Sequence, residues 1–135
     1  MASRVFPGKF SSLEKISQFI EEEAQNTSLD ETAVYEVQLA VDEACSNIIE
    51  HAYKENEDGE IICSCTISSD AFTVILQDQA EPFEPDEIKN LEIGAPLEEL
   101  GNRGAGVFLM KKLMDEVEFE FIPDEGTKLT LVKYF

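Results

Sequence analysis

Positively charged residues are scarce in this chain. Ten Lys and Arg residues stand against 29 Asp and Glu residues in a length of 135, so the formal net charge is -19. Nonspecific affinity for DNA or RNA comes mainly from cations that neutralise phosphates, so this balance argues against direct nucleic-acid binding. Any phosphate ligand must instead be held by backbone N–H groups, a metal ion or a few placed cations. A large partner should offer a basic or apolar patch.

Cysteine and histidine are few, and long apolar runs are absent. The three cysteines are an odd number without a signal-like stretch, which predicts a cytoplasmic protein with no disulfide framework. Cys63 and Cys65 share one face of a predicted strand, and His51 is the single nitrogen ligand elsewhere. Core packing is therefore favoured over a metal site. No apolar run approaches the roughly 20 residues that a membrane-spanning helix needs.

The residues that are present are typical of a globular domain. Apolar residues make up 43% of the chain and include nine Phe but no Trp, and charged residues make up 29%. This length can bury a core without disulfides or metal. There is no repeat, low-complexity tract or Pro-, Gly- or Ser-rich linker, so we expect one domain over residues 1–135.

Hydrophobic periodicity predicts the order helix, helix, two strands, loop, helix, two strands. The first helix follows a Ser cap at Ser11-Ser12 and fades near Asn26, and the second runs from an Asp30 cap to about Tyr53. The later elements are strands 60–67 and 71–77 joined by a turn at 68–70, a long loop over 81–103, a helix over 104–114, and strands 117–122 and 128–135. This mixture predicts an α+β two-layer sandwich, with helices on one face of a mixed, mostly antiparallel sheet.

Glu43 and Asn47 form the first candidate site. Four residues apart on the second helix, they lie on one side of it, at the border of the apolar stripe, with the small Ala40 and Ala44 beside them. A carboxylate and an amide oxygen so placed suit a general base and a magnesium ligand. Taken alone, the pair also fits an ordinary solvated helix face.

Glycines open the predicted third helix at Gly104-Ala105-Gly106. They would let the backbone approach a ligand, and a helix N-terminus offers unpaired N–H groups to phosphate. A lone G-x-G is also found in ordinary loops. Arg103 beside it would either meet a γ-phosphate or only solubilise the loop.

Asp78 closes a predicted apolar strand, where its carboxylate is able to accept a hydrogen bond from the exocyclic amine of adenine or simply to form a turn. Gly126-Thr127 precedes the last strand and would line the same pocket or form a plain hairpin turn. His51 follows Asn47 by one helical turn and is interpreted as a partly buried structural histidine.

Together and in this order, these features resemble the N, G1, G2 and G3 boxes of the GHKL ATPases. Residues 41–53, which contain Glu43-Ala44 with Asn47 and then His51-Ala52-Tyr53, are similar to the E-A-x-x-N and H-A-Y pattern of RsbW-type anti-sigma factor serine/threonine kinases. Residues 78–85 resemble the G1 stretch of that family, and residues 104–117 and 129–133 resemble its G2 box and C-terminal strand. The resemblance covers nearly the whole chain.

The resemblance implies a Bergerat-type fold and a set of roles. Glu43 would be the base for the attacking hydroxyl, Asn47 would ligate Mg²⁺, Asp78 would recognise adenine, and Thr127 would support the adenine pocket. The loop 84–103 would form a short ATP lid. The implied ATP-binding set is Asn47, Asp78, Ala80, Phe83, Arg103, Gly104, Ala105, Gly106, Val107 and Thr127.

The resemblance also implies partners: a homodimer, a sigma factor or similar regulatory target, and an anti-anti-sigma (STAS-type) protein phosphorylated on Ser or Thr. The chain departs from the family pattern at Ala80, which stands where G1 usually has Gly. A positive φ or a very close ligand approach is therefore disfavoured at that position.

Other interpretations of the same residues stay open. An ATP-binding switch module would bind its partner without phosphorylating it, whereas a hydrolase would use Glu43 to activate water and turn over ATP without a protein substrate. A histidine kinase fragment lacks a preceding phosphoacceptor helix in this sequence. An acidic interaction protein would bind no nucleotide at all.

Overall fold

The computed structural model describes residues 1–52, 59–78, 106–122 and 126–135. Three helices are present in these residues: α1 (Leu13–Ala24), α2 (Glu31–Asn47) and α3 (106–113). The five strands are β1 (Ala2–Pro7), β2 (Glu60–Ile67), β3 (Ala71–Asp78), β4 (Glu116–Ile122) and β5 (Gly126–Tyr134). The described elements follow the predicted order, with one strand added at the N-terminus.

The strands form one sheet in the order β1-β2-β3-β5-β4, and every pairing among these described strands is antiparallel. The register aligns alternate residues into rows across the sheet, for example Cys63 opposite Leu76 and Leu76 opposite Leu129. Because side chains alternate along a strand, each row lies on one face of the sheet.

A single apolar core joins that face to the helices. The strands contribute Ile61, Cys63, Phe72, Val74, Leu76, Leu129 and Leu131, and the helices contribute Ile16, Phe19, Ile20, Val37, Val41, Cys45 and Met110. The predicted α+β sandwich is confirmed. Cys63 and Cys65 are buried free thiols on the same face, as the core-packing interpretation requires.

The local predictions for the two long helices had different outcomes. Asp30 caps α2 as predicted, because its carboxylate accepts a hydrogen bond from the Ala33 N–H at 2.8 Å. The predicted Ser cap of α1 is wrong. Ser12 is already helical, since a 3-10 turn over Phe10–Ser12 leads directly into α1, and its hydroxyl donates instead to the Pro7 carbonyl at 2.7 Å.

The C-terminal end of α2 changes its helical form. The α-helical residues end at Asn47, and a π-helical turn continues over Ile48–Ala52. Such turns are frequent at functional sites because they reorient the neighbouring side chains. Tyr53, the predicted end of this helix, lies outside the described residues. Within the described residues, no helix combines the length and the apolar character needed to cross a membrane.

Candidate functional site

Helix α2 presents Glu43 and Asn47 at the edge of its buried stripe. Both side chains are half-buried, while Ala44 between them is fully buried, so the pair borders the core as predicted. Asn47 is the last α-helical residue before the π-helical turn. The pair therefore lies where α2 meets the end of the sheet that carries Asp78.

The described part of helix α3 begins beside Glu43 and Asn47. A Cβ atom built on Gly106 would lie 2.5 Å from Oε1 of Glu43 and 2.7 Å from Nδ2 of Asn47. Real Cβ atoms do not approach other atoms so closely, so a residue with a side chain would have to displace both groups. Glycine at this position lets the backbone of α3 lie directly against the carboxylate and the amide.

The electrostatic surroundings of Glu43 favour its protonated form. Partial burial is the largest cause that raises the pKa of this carboxyl, and the negative charges of Asp42 and Glu50 raise it further. A carboxyl whose pKa lies nearer to neutrality is a better general base, because its proton affinity is higher than that of an ordinary surface glutamate. In the same environment, ionisation of Glu43 lowers the stability of the folded state.

Asp78 and Thr127 stand opposite each other at the end of the sheet. They are register partners in the β3–β5 pairing, and Asp78 is also the partner of Ile61 on β2. Asp78 is 3% exposed and Thr127 is 7% exposed. A buried carboxylate needs hydrogen-bond donors or a counter-charge around it, so Asp78 gives this end of the sheet a strong hydrogen-bond acceptor.

A cavity connects the two groups of polar side chains. Together with the open space at its mouth it spans about 420 Å³. Its polar lining residues are Asn47, Asp78 and Thr127. Its apolar lining residues are Ala44, Ile48, Leu76, Val107, Met110, Phe119 and Leu129.

This lining fits a purine nucleotide. Apolar side chains offer a flat base a dry surface, and the buried Asp78 carboxylate is an acceptor for an exocyclic amine. At the other end, Asn47 offers an amide oxygen of the kind that Mg²⁺ accepts as a ligand. Gly106 on α3 allows close backbone approach beside it.

The structure brings together six of the predicted site residues. Glu43, Asn47 and Gly106 meet at one end of the cavity, and Asp78, Val107 and Thr127 line it or border it. The other predicted positions lie outside the described residues: Ala80, Phe83, Arg103, Gly104, Ala105 and the lid over 84–103. Nothing is described of the His51 side chain either.

Six lining residues were not among the predicted site residues: Ala44, Ile48, Leu76, Met110, Phe119 and Leu129. On the sequence they are indistinguishable from core residues, because each continues the apolar period of its own element. Leu76 precedes Asp78 by two residues and Leu129 follows Thr127 by two. Residues two apart on a strand share a face, so that spacing was the available signal for these two.

The chain belongs to the histidine kinase-like ATPase domain family, whose model it matches over residues 6–133. The predicted resemblance to the GHKL ATPases is thereby confirmed. Within the family it is similar to the serine-protein kinase RsbW of Bacillus subtilis, at 32% identity over 106 residues, and to RsbW of Listeria innocua, at 35% identity over 106 residues. The first match spans 75% of this chain and 64% of its relative, and the second spans 76% and 66%.

Solved structures share the fold at low sequence identity. A Mycobacterium tuberculosis protein with RsbU and RsbW domains superposes with a TM-score of 0.67 at 13% identity, covering 98% of this chain and 32% of that one. A chain of the SiaB–SiaC complex from Pseudomonas aeruginosa superposes with a TM-score of 0.65 at 13% identity, covering 100% of this chain and 89% of that one. The α+β sandwich of this chain is therefore the fold of these structures.

Proposed function

We propose that this chain is an ATP-dependent serine/threonine protein kinase of the anti-sigma factor type. The observation that carries the proposal is the position of Gly106, directly against Glu43 and Asn47 at one end of a cavity that holds the buried Asp78. Glu43 offers a base and Asn47 an amide oxygen for Mg²⁺, which are parts that phosphoryl transfer from ATP uses, and Asp78 offers an acceptor for the base of the nucleotide. The similarity to RsbW kinases supports the same reaction.

Glu43 is the proposed base. Its carboxylate accepts the proton of a Ser or Thr hydroxyl while the hydroxyl oxygen bonds to the γ-phosphorus and the bond from that phosphorus to the bridging oxygen of ADP breaks. The raised pKa of Glu43 suits this proton transfer. A positioned base of this kind typically contributes on the order of 10²–10⁴ in rate.

The remaining residues bind and orient the nucleotide. Asp78 accepts the adenine amine at the end of the cavity, with Thr127 beside it, and the Asn47 amide oxygen would hold Mg²⁺. An ion held there would supply positive charge to offset the charge on the transferring phosphate. By the family resemblance, Gly104 and Ala105 extend the phosphate contact that begins at Gly106, and Ala80, Phe83, Arg103 and Val107 complete the nucleotide site.

The wider role we propose follows the RsbW resemblance. The substrate is an anti-anti-sigma protein of the STAS type. In a second, alternative complex the chain binds a sigma factor or similar regulatory target. The chain acts as one cytoplasmic ATPase domain over residues 1–135 and works as a homodimer. Its strong negative charge is compatible with protein partners that offer basic or apolar patches.

Transfer of radiolabelled γ-phosphate tests the proposal directly. The purified chain is incubated with Mg²⁺-ATP and each STAS-type protein encoded in the same genome. We expect label on Ser or Thr of one of them, and a loss of about 10²-fold or more in rate for Glu43→Gln. Glu31→Gln is the matched control, since it removes one exposed carboxylate from the first turn of the same helix, and Glu31 is not among the groups that raise the pKa of Glu43.

Two other results would change the assignment. A STAS-type protein that binds the ATP-loaded chain without acquiring label would identify the switch module in place of a kinase. Steady release of inorganic phosphate in the absence of any protein would instead identify a hydrolase, with Glu43 acting on water.

A further inference from the structure

Exposed apolar side chains flank Glu43 on both of the helices that meet there. On α2, Leu39 precedes Glu43 by four residues and Tyr35 precedes it by eight, and their side chains are 36% and 60% exposed. Residues four apart on a helix are neighbours, with Cβ atoms about 5–6 Å apart. Tyr35 and Leu39 therefore form an apolar ridge that leads along α2 to Glu43.

On the other side, α3 presents a second apolar pair. Its buried face carries Val107 and Met110 toward the cavity, whereas Phe108 and Leu109 point outward and are 54% and 40% exposed. Leu109 is one helical turn from Gly106, which lies against Glu43. Leu109 therefore borders the contact between Glu43 and Gly106, whereas Phe108, about 200° around the helix from Gly106, lies on the outer face of α3.

One of these side chains is held in place by a cation. The Lys112 ammonium lies 5.3 Å from the centre of the Phe108 ring, one turn along the exposed face of α3. Such a contact attracts the cation to the ring and limits the rotamers of both side chains. Aromatic side chains are enriched at protein interfaces, so the exposed Phe108 ring is the candidate anchor of this pair.

We propose that Tyr35, Leu39, Phe108, Leu109 and Lys112 form the docking surface for the protein that carries the acceptor hydroxyl. The docking surface rests on the proposed function, because without phosphoryl transfer no partner has to reach Glu43. A protein that places a Ser or Thr at Glu43 must cover the residues that border Glu43 on α2 and α3. The surface therefore fits a phosphoacceptor protein with an apolar patch around the acceptor hydroxyl.

Charge adds a second requirement on that partner. Lys112 is a cation in a chain of net charge -19, and it lies at the edge of the apolar pair on α3. A carboxylate on the partner would complement it. A second copy of this chain fits less well, because a dimer through this surface would cover Glu43 in both protomers and exclude the acceptor hydroxyl.

Binding without turnover tests the docking surface. The Kd of the chain, loaded with a nonhydrolysable ATP analogue, is measured against each STAS-type protein of the same genome. Leu39→Gln and Leu109→Gln should each raise the Kd by about tenfold or more. Lys112→Glu should also raise it, and Lys112→Arg should restore it.

Ile67→Gln is the matched control. Ile67 is 40% exposed, the same fraction as Leu109, but it pairs with Phe72 at the end of the sheet opposite Asp78. The control should change the Kd by less than about twofold. All of these variants should keep the rise in melting temperature that the ATP analogue causes in the wild type, because none of these side chains lines the cavity.

The other possible outcomes contradict the proposed docking surface, and each points to a different cause. If a STAS-type protein binds but Leu39→Gln and Leu109→Gln bind as tightly as Ile67→Gln, the surface is wrong and the proposed kinase stands. If the nucleotide stabilises the wild type but no STAS-type protein binds, the proposed occupant is wrong. If the nucleotide does not stabilise the wild type, the proposed function fails and the docking surface fails with it. A complex formed only between copies of this chain, and weakened by Leu109→Gln, would assign the surface to self-association.

Discussion

Gly106 and Glu43 approach each other so closely that a single methyl group on Gly106 would lie 2.5 Å from Oε1 of the glutamate. The contact joins α3 to α2 at the point where the proposed reaction takes place. It also explains why two residues 63 positions apart in the sequence belong to one site. The packing of two helix surfaces, not a local motif, brings them together.

The first prediction concerns this contact. Gly106→Ala should lower the free energy of unfolding by about 1 kcal/mol, since overpacking outweighs the better helix propensity of alanine. In a Glu43→Ala background, where the nearest obstructing atom is gone, the same substitution should cost less. Urea denaturation of the four proteins measures this double-mutant cycle. An equal cost in both backgrounds would mean that the two side chains do not compete for the same space.

The second prediction concerns the pKa of Glu43. Because this pKa is raised in the folded state from its ordinary value of 4.5, the ionised carboxylate destabilises the fold at pH values above the raised pKa, and the penalty disappears as the pH falls below the ordinary value. Glu43→Gln should therefore melt at a higher temperature than the wild type at pH 7.5, and this difference should shrink toward pH 4. Scanning calorimetry at several pH values measures the gap. A variant that melts lower than the wild type at pH 7.5 would contradict the raised pKa.

The third prediction concerns base recognition by Asp78. Asp78→Asn exchanges a carboxylate acceptor for an amide, so ATP should bind about tenfold or more weakly, which corresponds to the loss of a charge-assisted hydrogen bond. Discrimination against GTP should weaken as well, since GTP offers a carbonyl where ATP offers the amine. Titration calorimetry with both nucleotides gives the comparison. Unchanged preference for ATP would place the base elsewhere.

The fourth prediction concerns the three thiols. Cys45, Cys63 and Cys65 are buried. Burial raises the pKa of Cys45, and a hydrogen bond with Cys65 together with burial raises the pKa of Cys63. Because the thiolate is the reactive form, a thiol reagent at pH 8 should modify none of the three in the native protein within minutes, and all three in guanidinium. Rapid reaction of one native thiol would show that this part of the core opens readily.

Much of the fold was predictable because its signals are local. The strand pair 60–67 and 71–77, the turn between them and the Asp30 cap each depend on residues close in sequence, and the structure has all of them. The strand β1 was missed. Its residues Ala2–Pro7 include exposed Ser3, Arg4 and Val5, and only Phe6 is fully buried, so an edge strand paired on one side shows little alternation.

The candidate site was predictable only in part, for a related reason. Glu43, Asn47, Asp78 and Thr127 are polar residues at conspicuous positions, and the family resemblance gives them roles. Leu76, Met110, Phe119 and Leu129 are apolar residues whose place in the cavity depends on strand order and helix packing. Sheet order is a long-range property, and short-range periodicity does not carry it.

The most direct test of the central claim is the melting temperature with and without Mg²⁺-ATP for the wild type and Asn47→Ala, with Ser46→Ala as the control on the neighbouring residue. A ligand at 100 times its Kd adds about 2.7 kcal/mol to the stability of the folded state. The account predicts a clear rise for the wild type and for Ser46→Ala, and a much smaller one for Asn47→Ala. No rise in the wild type at saturating Mg²⁺-ATP would contradict the nucleotide site, and with it the proposed kinase.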